Sequence, residues 1–224
     1  MHLCRKYLLN LRQYICVYMV ESTEIQILAK IKKARGGALF FVEDFLRFGN
    51  YKTISKALER LVEKEEISRV ARGIYARLEK DPILGPVKPG AEAIAKAIAK
   101  KDKARIIPTG ALALNAFGLS TQVPMNIIYL TDGAARKINV GKRTIVFKKT
   151  SPKNLAAIGK ISGLAIQALK ELGKDNVTES QKRIILEHLK KEDSYRLEHD
   201  IKLAPEWIRV IMRDALTKTT KNDK

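Results

Sequence analysis

A capped helix with one apolar face, followed at once by a hairpin, constrains this chain more than any other feature and occupies residues 50–77. Ile54, Leu58 and Leu61 recur at helical spacing and predict one buried face. Asn50 precedes this stripe, and its side-chain oxygen can accept a hydrogen bond from a first-turn amide. The pattern therefore predicts a helix that begins just after Asn50 and exposes its polar side.

The hairpin is predicted by two short β-prone runs, residues 67–70 and 74–78, that are joined through a turn. Gly73 lies in this turn and can adopt the positive φ that hairpin turns often need. Arg69, Arg72 and Arg77 place positive charge on the ribbon. A basic helix for the major groove, followed by a ribbon that touches the DNA backbone or the minor groove, is typical of a winged helix-turn-helix. The alternative is a helix with a solvated face beside an ordinary hairpin.

The upstream sequence completes the order of elements that a winged helix requires. Residues 23–34 predict a first helix, residues 38–42 a strand, and residues 43–48 a short second helix with Phe45 and Leu46 turned inward. The predicted DNA contacts on the following helix and on the wing are Lys52, Thr53, Ser55, Lys56, Arg60, Arg69, Arg72 and Gly73. Because the acidic residues that end this helix would repel phosphate, we expect its N-terminal half to face DNA.

The predicted fold class is α+β, mainly helical, with the winged helix-turn-helix followed by a domain that contains a small β-sheet and several helices. Proline removes backbone donors, so the prolines of residues 80–90 predict a linker without regular structure. The four predicted parts are a peripheral N-terminal extension at residues 1–20, a DNA-binding domain at residues 21–79, this linker, and a C-terminal domain at residues 91–218.

The C-terminal domain should contain a small sheet. Residues 126–131, 137–140 and 143–149 have strand composition, and Asp132-Gly133 reads as a hairpin turn. This sheet would carry a second basic surface, which consists of Arg136, Lys137, Lys142, Arg143, Lys148 and Lys149.

Apolar periodicity predicts helices around the sheet. Thr178 is the strongest cap among them, because Gln181 follows it at capping-box spacing. The predicted helices are residues 91–103, 109–117, 154–162, 164–172, 180–190, 192–201 and 205–217.

The net charge of +19 and the isoelectric point of about 9.9 point to a polyanionic partner, most simply nucleic acid. Residues 81–160 carry 14 basic and 4 acidic residues, whereas residues 21–80 carry 13 basic and 9 acidic residues. The winged helix is therefore not the most basic part of the chain. This distribution of charge is not expected of a protein that binds nucleic acid only through a winged helix.

The sequence lacks the motifs of several classes of nucleotide-binding protein and enzyme. It contains neither a Walker loop nor a dinucleotide-binding glycine fingerprint nor a serine nucleophile elbow. Asp132 is the best single candidate for a catalytic acid, but no second carboxylate follows at short spacing. Cys4 and Cys16 do not form a zinc spacing, and no apolar run reaches the roughly 18–20 residues of a membrane span. We expect no enzymatic activity, no catalytic residue, no metal, no cofactor, no membrane contact and a cytoplasmic location.

Two segments resemble a known family. Residues 54–77, ISKALERLVEKEEISRVARGIYAR, are similar to the winged helix of AbiEi-like antitoxins of type IV toxin–antitoxin (abortive-infection) systems. Residues 109–133, TGALALNAFGLSTQVPMNIIYLTDG, followed by KINVGKRTIVFKKT, look like the start of the C-terminal antitoxin domain of that family. The resemblance covers about residues 23–215, and the N-terminal extension departs from it.

The resemblance implies a transcriptional repressor that binds double-stranded DNA at its own operator, commonly an inverted repeat. It also implies a cognate nucleotidyltransferase-like toxin, whose effect the antitoxin counters without needing a stable complex. The alternative hypothesis comes from the charge distribution. In that case the basic middle and C-terminal region binds RNA or the toxin itself, and the winged helix is a tether.

Overall fold

The structure is a computed structural model, and it describes residues 22–83, 85–122 and 124–216. The chain forms two compact units, Met1–Pro89 (unit 1) and Gly90–Lys224 (unit 2). The predicted N-terminal extension at residues 1–20 and the last residues of the predicted C-terminal domain lie outside the described residues. Helices dominate the described part and small sheets accompany them, which confirms the α+β, mainly helical fold class.

Unit 1 has the element order and the sheet order of a winged helix. Its elements are α1 (Thr23–Lys33), β1 (Leu39–Phe41), a 3₁₀-helix (Val42–Phe48), α2 (Tyr51–Glu63), β2 (Ser68–Ala71) and β3 (Ile74–Ala76). The strands pair antiparallel in the order β1-β3-β2, so the β2–β3 hairpin forms the wing. The helix and hairpin that the sequence predicted are both present.

The core of unit 1 is built from the apolar stripes of its helices. Ile54 and Leu58 of α2 are fully buried and pack with Ile27 and Ile31 of α1 and with Phe45 of the 3₁₀-helix. The 3₁₀-helix repeats every three residues, which turns Phe45 inward and leaves its neighbour in the sequence on the outside. The prediction that Leu46 is turned inward is therefore wrong, because half of its surface is exposed.

Arg77 closes the C-terminal end of α1. Its guanidinium donates hydrogen bonds to the backbone carbonyls of Lys32, at 2.6 Å, and of Ala34. These carbonyls have no partner within the helix, and a cation also suits the negative end of the helix dipole. Arg77 thus joins the end of β3 to the end of α1, although its sequence position suggested only a charge on the ribbon.

A two-stranded ribbon occupies the segment that was predicted to be a linker without regular structure, so that prediction is wrong. β4 (Glu79–Asp81) pairs antiparallel with β5 (Gly85–Val87), with Lys80 opposite Pro86. In an antiparallel pair, every second residue turns its N–H away from the partner strand. A ribbon has no further neighbour there, so a proline at such a position removes no ladder hydrogen bond.

Unit 2 contains a four-stranded mixed sheet. Its strands are β6 (Ile106–Pro108), β7 (Asn126–Thr131), β8 (Arg136–Val140) and β9 (Arg143–Lys149), in the order β6-β7-β9-β8. β7 and β9 run parallel, whereas the outer pairs are antiparallel. β9 therefore separates β7 from β8, and the prediction of a hairpin turn at Asp132-Gly133 is wrong. β6 was not predicted, because its three residues end in Pro108 and carry no alternation.

The helices of unit 2 pack against the sheet and against one another. They are α3 (Ala91–Lys101), α4 (Ala111–Ala116), α5 (Lys160–Leu172), α6 (Glu179–Leu189), α7 (Ser194–Ile201) and α8 (Glu206–Leu216), with short 3₁₀-helices at Pro152–Leu155 and Lys174–Asn176. The capping box before α6 is confirmed: the Thr178 hydroxyl accepts from the Gln181 amide, and the Gln181 side chain accepts from the Thr178 amide. Trp207 is partly buried and packs against the helical core.

The predicted helix over residues 154–162 is wrong, because α5 begins only at Lys160. The backbone N–H groups of Ile158 and Gly159 each donate to the buried carboxylate of Asp200 at 2.9 Å. These amides are therefore not available for helical hydrogen bonds. A residue some 40 positions downstream sets this boundary, which local periodicity cannot reveal.

Candidate nucleic-acid interface

Helix α2 is capped as its sequence predicts. The side-chain oxygen of Asn50 accepts from the backbone N–H of Thr53 at 2.9 Å and from the Thr53 hydroxyl at 3.0 Å. Ile54, Leu58 and Leu61 face the core. The cap and the stripe together fix which side of α2 is left for a ligand.

The outward side of α2 is basic in its first half and acidic in its second. Lys52 and Lys56 are exposed and lie four residues apart, so they project from the same side of the helix. Glu59 and Glu63, also exposed, continue that side towards the C-terminus. A phosphate backbone would be attracted to the first pair and repelled by the second. The charge pattern thus restricts an anionic ligand to the N-terminal half of α2.

Three of the predicted contact residues have other roles or less exposure. The hydroxyl of Thr53 is bonded to Asn50, and Ser55 is only half-exposed. The guanidinium of Arg60 lies 3.6 Å from the carboxylate of Glu24 on α1. The same carboxylate accepts a hydrogen bond from the ammonium group of Lys64. Among the predicted contacts on α2, Lys52 and Lys56 are therefore the best placed to bind a ligand.

The wing presents two arginines. Arg72 and Gly73 form the turn between β2 and β3, and Gly73 has a φ of +72°, in the left-handed region that favours glycine. Arg69 is exposed on β2 and lies opposite Tyr75 of β3. Burial raises the pKa of the Tyr75 hydroxyl. Both guanidinium groups are available at the wing.

Sequence reasoning missed two exposed residues beside the start of α2. Tyr51 is the first residue of the helix and 58% of its surface is exposed. Arg47 lies in the last turn of the preceding 3₁₀-helix, and its guanidinium lies 4.5 Å from the ring centroid of Phe48. The signal that could have found Tyr51 is its position, because residues at the N-terminus of a recognition helix approach the base edges.

The six residues of the predicted second basic surface do not share one face of the unit 2 sheet. In β9, Ile145 and Phe147 are buried, and strand residues alternate between faces. The strand register puts three of the six on the face of Phe147: Arg136, Arg143 and Lys149. Two others, Lys137 and Lys148, lie on the opposite face, and Lys142 lies in the β8–β9 turn. Arg136 is also paired with Asp102 and lies over the Phe147 ring.

Residues 26–197 match one protein family, which is described as a family of unknown function, DUF6088. This chain belongs to DUF6088. The match includes most of the described winged helix and extends into α7 of unit 2. A search of curated proteins gave no match. Since the description of the DUF6088 family assigns no activity, the resemblance to AbiEi-like antitoxins stays a prediction.

Asp132, the catalytic-acid candidate in this DUF6088 chain, is engaged in a structural ion pair. Its carboxylate accepts from the backbone N–H of Arg105 at 2.8 Å and lies 3.0 Å from Nε of the same residue. The backbone hydrogen bond, and then the guanidinium, lower the pKa of the Asp132 carboxyl. A general acid requires a raised pKa, so this environment does not suit Asp132 to that role.

A buried polar cluster in unit 2 of the DUF6088 chain contains serine, histidine and aspartate but lacks the order of a nucleophilic triad. Ser162 donates directly to Asp200 at 2.5 Å, and Nδ1 of His199 lies 2.8 Å from the other carboxylate oxygen. In a triad, the imidazole lies between the hydroxyl and the carboxylate. Here Asp200, together with Glu192, instead binds backbone amides at the start of α5.

The helices of the described ranges include none with both the length and the apolar character that crossing a bilayer requires. Within the same ranges, no three His, Cys, Asp or Glu side chains come together in a way that could hold a metal ion.

Proposed function

We propose that this chain is a DNA-binding transcriptional regulator whose winged helix binds duplex DNA. The observation that carries the proposal is the exposed pair Lys52 and Lys56 on the outward side of α2, within a unit that has winged-helix element and sheet order. α2 enters the major groove by its N-terminal half. Lys52 and Lys56 reach base edges or phosphates there, and Tyr51 lies beside them.

The wing supplies contacts to the DNA backbone. Arg69 and Arg72 are exposed guanidinium groups, and phosphate is the group that such donors bind most strongly. Contacts of this kind position the protein on the duplex, whereas the base contacts of α2 select the sequence. An inverted-repeat operator would present two such sites related by symmetry.

We further propose, from the resemblance of residues 54–77 and 109–133, that the regulator is the antitoxin of a type IV toxin–antitoxin system. It represses its own operon in the cytoplasm and counters a nucleotidyltransferase-like toxin. Unit 2 is then the antitoxin-type domain, and its action requires binding and not catalysis.

A second candidate function is RNA or toxin binding by unit 2. The excess of basic residues in residues 81–160 favours it. The distribution of the sheet cations over two faces weakens it, because a single flat ligand cannot reach all six side chains. A variant of each face, Lys137→Ala with Lys148→Ala and Arg143→Ala with Lys149→Ala, separates the two surfaces in an RNA-binding assay.

A mobility shift with the protein's own upstream DNA, against an unrelated duplex and at two salt concentrations, tests the regulator proposal. Tight, sequence-selective and salt-sensitive binding is expected. Equal and weak binding of both duplexes would contradict it. Co-expression with the nucleotidyltransferase-like protein encoded alongside tests the antitoxin proposal, because the antitoxin should restore growth.

A further inference from the structure

Tyr51 is the one large apolar side chain that α2, which the structure describes in full, leaves exposed. Its exposed fraction is 58%, whereas Ile54, Leu58 and Leu61 of the same helix are buried. Single exposed apolar residues are common on protein surfaces, so the position of Tyr51 and its surroundings decide its role.

The ring projects from the end of α2 that carries no acidic side chain. Tyr51 is the first residue of the helix, and the side chains of a helix tilt towards its N-terminus. The Asn50 cap fixes this turn, because its side-chain oxygen accepts two hydrogen bonds from Thr53, at 2.9 and 3.0 Å. The Tyr51 ring is therefore presented from an ordered backbone, which reduces the entropy that binding through it would cost.

Tyr51 also lies towards the wing. Burial is the largest cause of the raised pKa of the Tyr75 hydroxyl on β3, and Arg69, Glu59 and the Tyr51 hydroxyl act electrostatically on the same group. Arg69 lies opposite Tyr75 in the β2–β3 ladder. Since Tyr51 and Arg69 both lie near one hydroxyl, a duplex that contacts the wing can also reach the start of α2.

Neither the ring nor the hydroxyl of Tyr51 is occupied by the described part of the chain. The rings of Phe40, Phe45 and Phe48 lie against one another in the same unit, with centroid distances of 5.7 and 6.5 Å. Tyr51 takes no part in this group, and its hydroxyl forms no hydrogen bond to residues 22–83, 85–122 or 124–216. The ring is therefore free to pack against another molecule.

The surroundings of the ring favour an anionic partner that also offers an apolar group. Lys52 and Lys56 are exposed on the same helix, and Arg47 is exposed on the preceding 3₁₀-helix. Such a cluster of cations repels a second copy of the chain. DNA combines both properties, because its major groove presents the C5-methyl group of thymine among base edges that otherwise carry hydrogen-bond donors and acceptors.

We infer that Tyr51 is a specificity-determining residue whose ring packs on a thymine methyl group in the major groove. The inference rests on the proposed DNA binding by α2 and adds a base to it. Lys52 and Lys56 supply attraction to the DNA, and Tyr51 selects an A·T pair at the position that the start of α2 reaches. Cytosine has a hydrogen where thymine has this methyl group, so a G·C pair lacks the contact.

Replacement of thymine by uracil isolates the contact, because uracil keeps the hydrogen-bonding groups of thymine and lacks only the methyl group. Mobility shifts with the full chain compare the upstream duplex with the same duplex made with uracil in place of every thymine. Wild type should bind the uracil duplex about fourfold more weakly for each contacted methyl group, the factor expected for one buried methyl. Tyr51→Ala should lose most of this difference, and Tyr51→Phe should keep it.

Three controls separate the methyl contact from other effects. Tyr195→Ala removes a tyrosine of unit 2 that is 74% exposed, and it should keep the wild-type ratio of the two affinities. Tyr51→Ala should leave the slope of log affinity against log salt unchanged, because tyrosine neutralises no phosphate. Tyr51→Gln should lose the difference as Tyr51→Ala does, and it replaces that variant if circular dichroism shows a disturbed fold.

The inference is overturned if wild type binds the thymine and uracil duplexes equally, or if Tyr51→Ala and Tyr51→Gln keep the wild-type ratio. A loss in Tyr51→Phe as large as that in Tyr51→Ala would assign the contact to the hydroxyl and would overturn it too. In these cases wild type still prefers the upstream duplex to an unrelated one, so the regulator proposal stands. If that preference is missing, both the inference and the regulator proposal fail.

Discussion

The carboxylate of Glu24 on α1 lies 3.6 Å from the guanidinium of Arg60 on α2. The two residues are 36 positions apart, and their contact ties α1 to the side of α2. Arg60 thus stabilises the position of α2, whereas Lys56, four residues earlier, is exposed to solvent.

This relationship predicts different salt dependence for two single variants. Each lysine or arginine that neutralises a phosphate contributes about one unit to the slope of log affinity against log salt. Lys56→Ala should reduce the slope by about one, while Arg60→Ala should leave it nearly unchanged and lower the melting temperature. Mobility shifts across a salt series measure both slopes. A reduced slope for Arg60→Ala would show that Arg60 contacts phosphate, as the sequence suggested.

The contribution of Glu24 to the stability of the fold should depend on pH. The hydrogen bond from Lys64, and then the charges of Lys64 and Arg60, lower the pKa of Glu24 below its ordinary value of 4.5. A carboxyl with a lowered folded pKa stabilises the folded state above its unfolded pKa, and this stabilisation is lost as pH falls through the folded value. Wild type should therefore exceed Glu24→Gln in stability at neutral pH, and the difference should shrink as pH falls below 4.5.

Urea unfolding at a series of pH values measures this difference. Glu63→Gln is the matched control, because Glu63 is exposed on α2 and forms no ion pair within the described residues. A difference that stays constant down to acidic pH would contradict the role given to Glu24.

Alanine substitutions at two turn glycines separate the effect of wing geometry on operator binding from a general loss of stability. Gly73 in the wing and Gly141 in the β8–β9 turn have φ values of +72° and +57°, and an added Cβ would meet nothing within 4 Å at either position. Alanine at each should cost about 1–2 kcal/mol through left-handed strain alone. Only Gly73→Ala should weaken operator binding, because only that turn carries Arg72. Equal affinities in the two variants would exclude the wing from the interface.

Alanine substitutions at two N-cap glycines test the packing of the buried polar cluster that contains Ser162 and Asp200. A Cβ at Gly159 would lie 2.1 Å from Ser162 Oγ and 2.7 Å from Glu192 Oε2, whereas a Cβ at Gly90 would meet nothing within 4 Å. Both residues precede a helix with ordinary negative φ. Gly159→Ala should lower the free energy of unfolding by about 1–3 kcal/mol more than Gly90→Ala, through overpacking. Denaturant unfolding compares them, and equal values would argue against the tight packing around Ser162.

Local sequence signals predicted the winged helix well. Asn50, the stripe through Ile54 and Leu58, and the turn at Gly73 all act over a few residues, so periodicity and capping rules find them. The boundary at Lys160 and the partner of Arg60 could not be predicted in this way. Both depend on carboxylates brought close by the fold, and a single sequence does not indicate such contacts.

The same limit applies to the candidate surfaces. Strand composition identified β7 and β9 but not their parallel pairing, which is why Asp132 was assigned to a hairpin turn. The residues of the predicted second basic surface do not share one face of the sheet, for a related reason. Its residues were grouped by their proximity in sequence, whereas strand alternation sends Lys148 and Lys149 to opposite faces.

The most direct test compares two lysine pairs of equal charge. Lys52→Ala with Lys56→Ala removes the exposed pair of α2, and Lys96→Ala with Lys100→Ala removes an exposed pair at the same spacing on α3 of unit 2. Affinities for the upstream duplex and for an unrelated duplex are measured for both variants. The α2 variant should lose at least about tenfold in selective affinity, as expected for two lost base or phosphate contacts, while the α3 variant keeps its selectivity. Equal loss in the two variants, or selectivity retained in both, would contradict DNA recognition by α2.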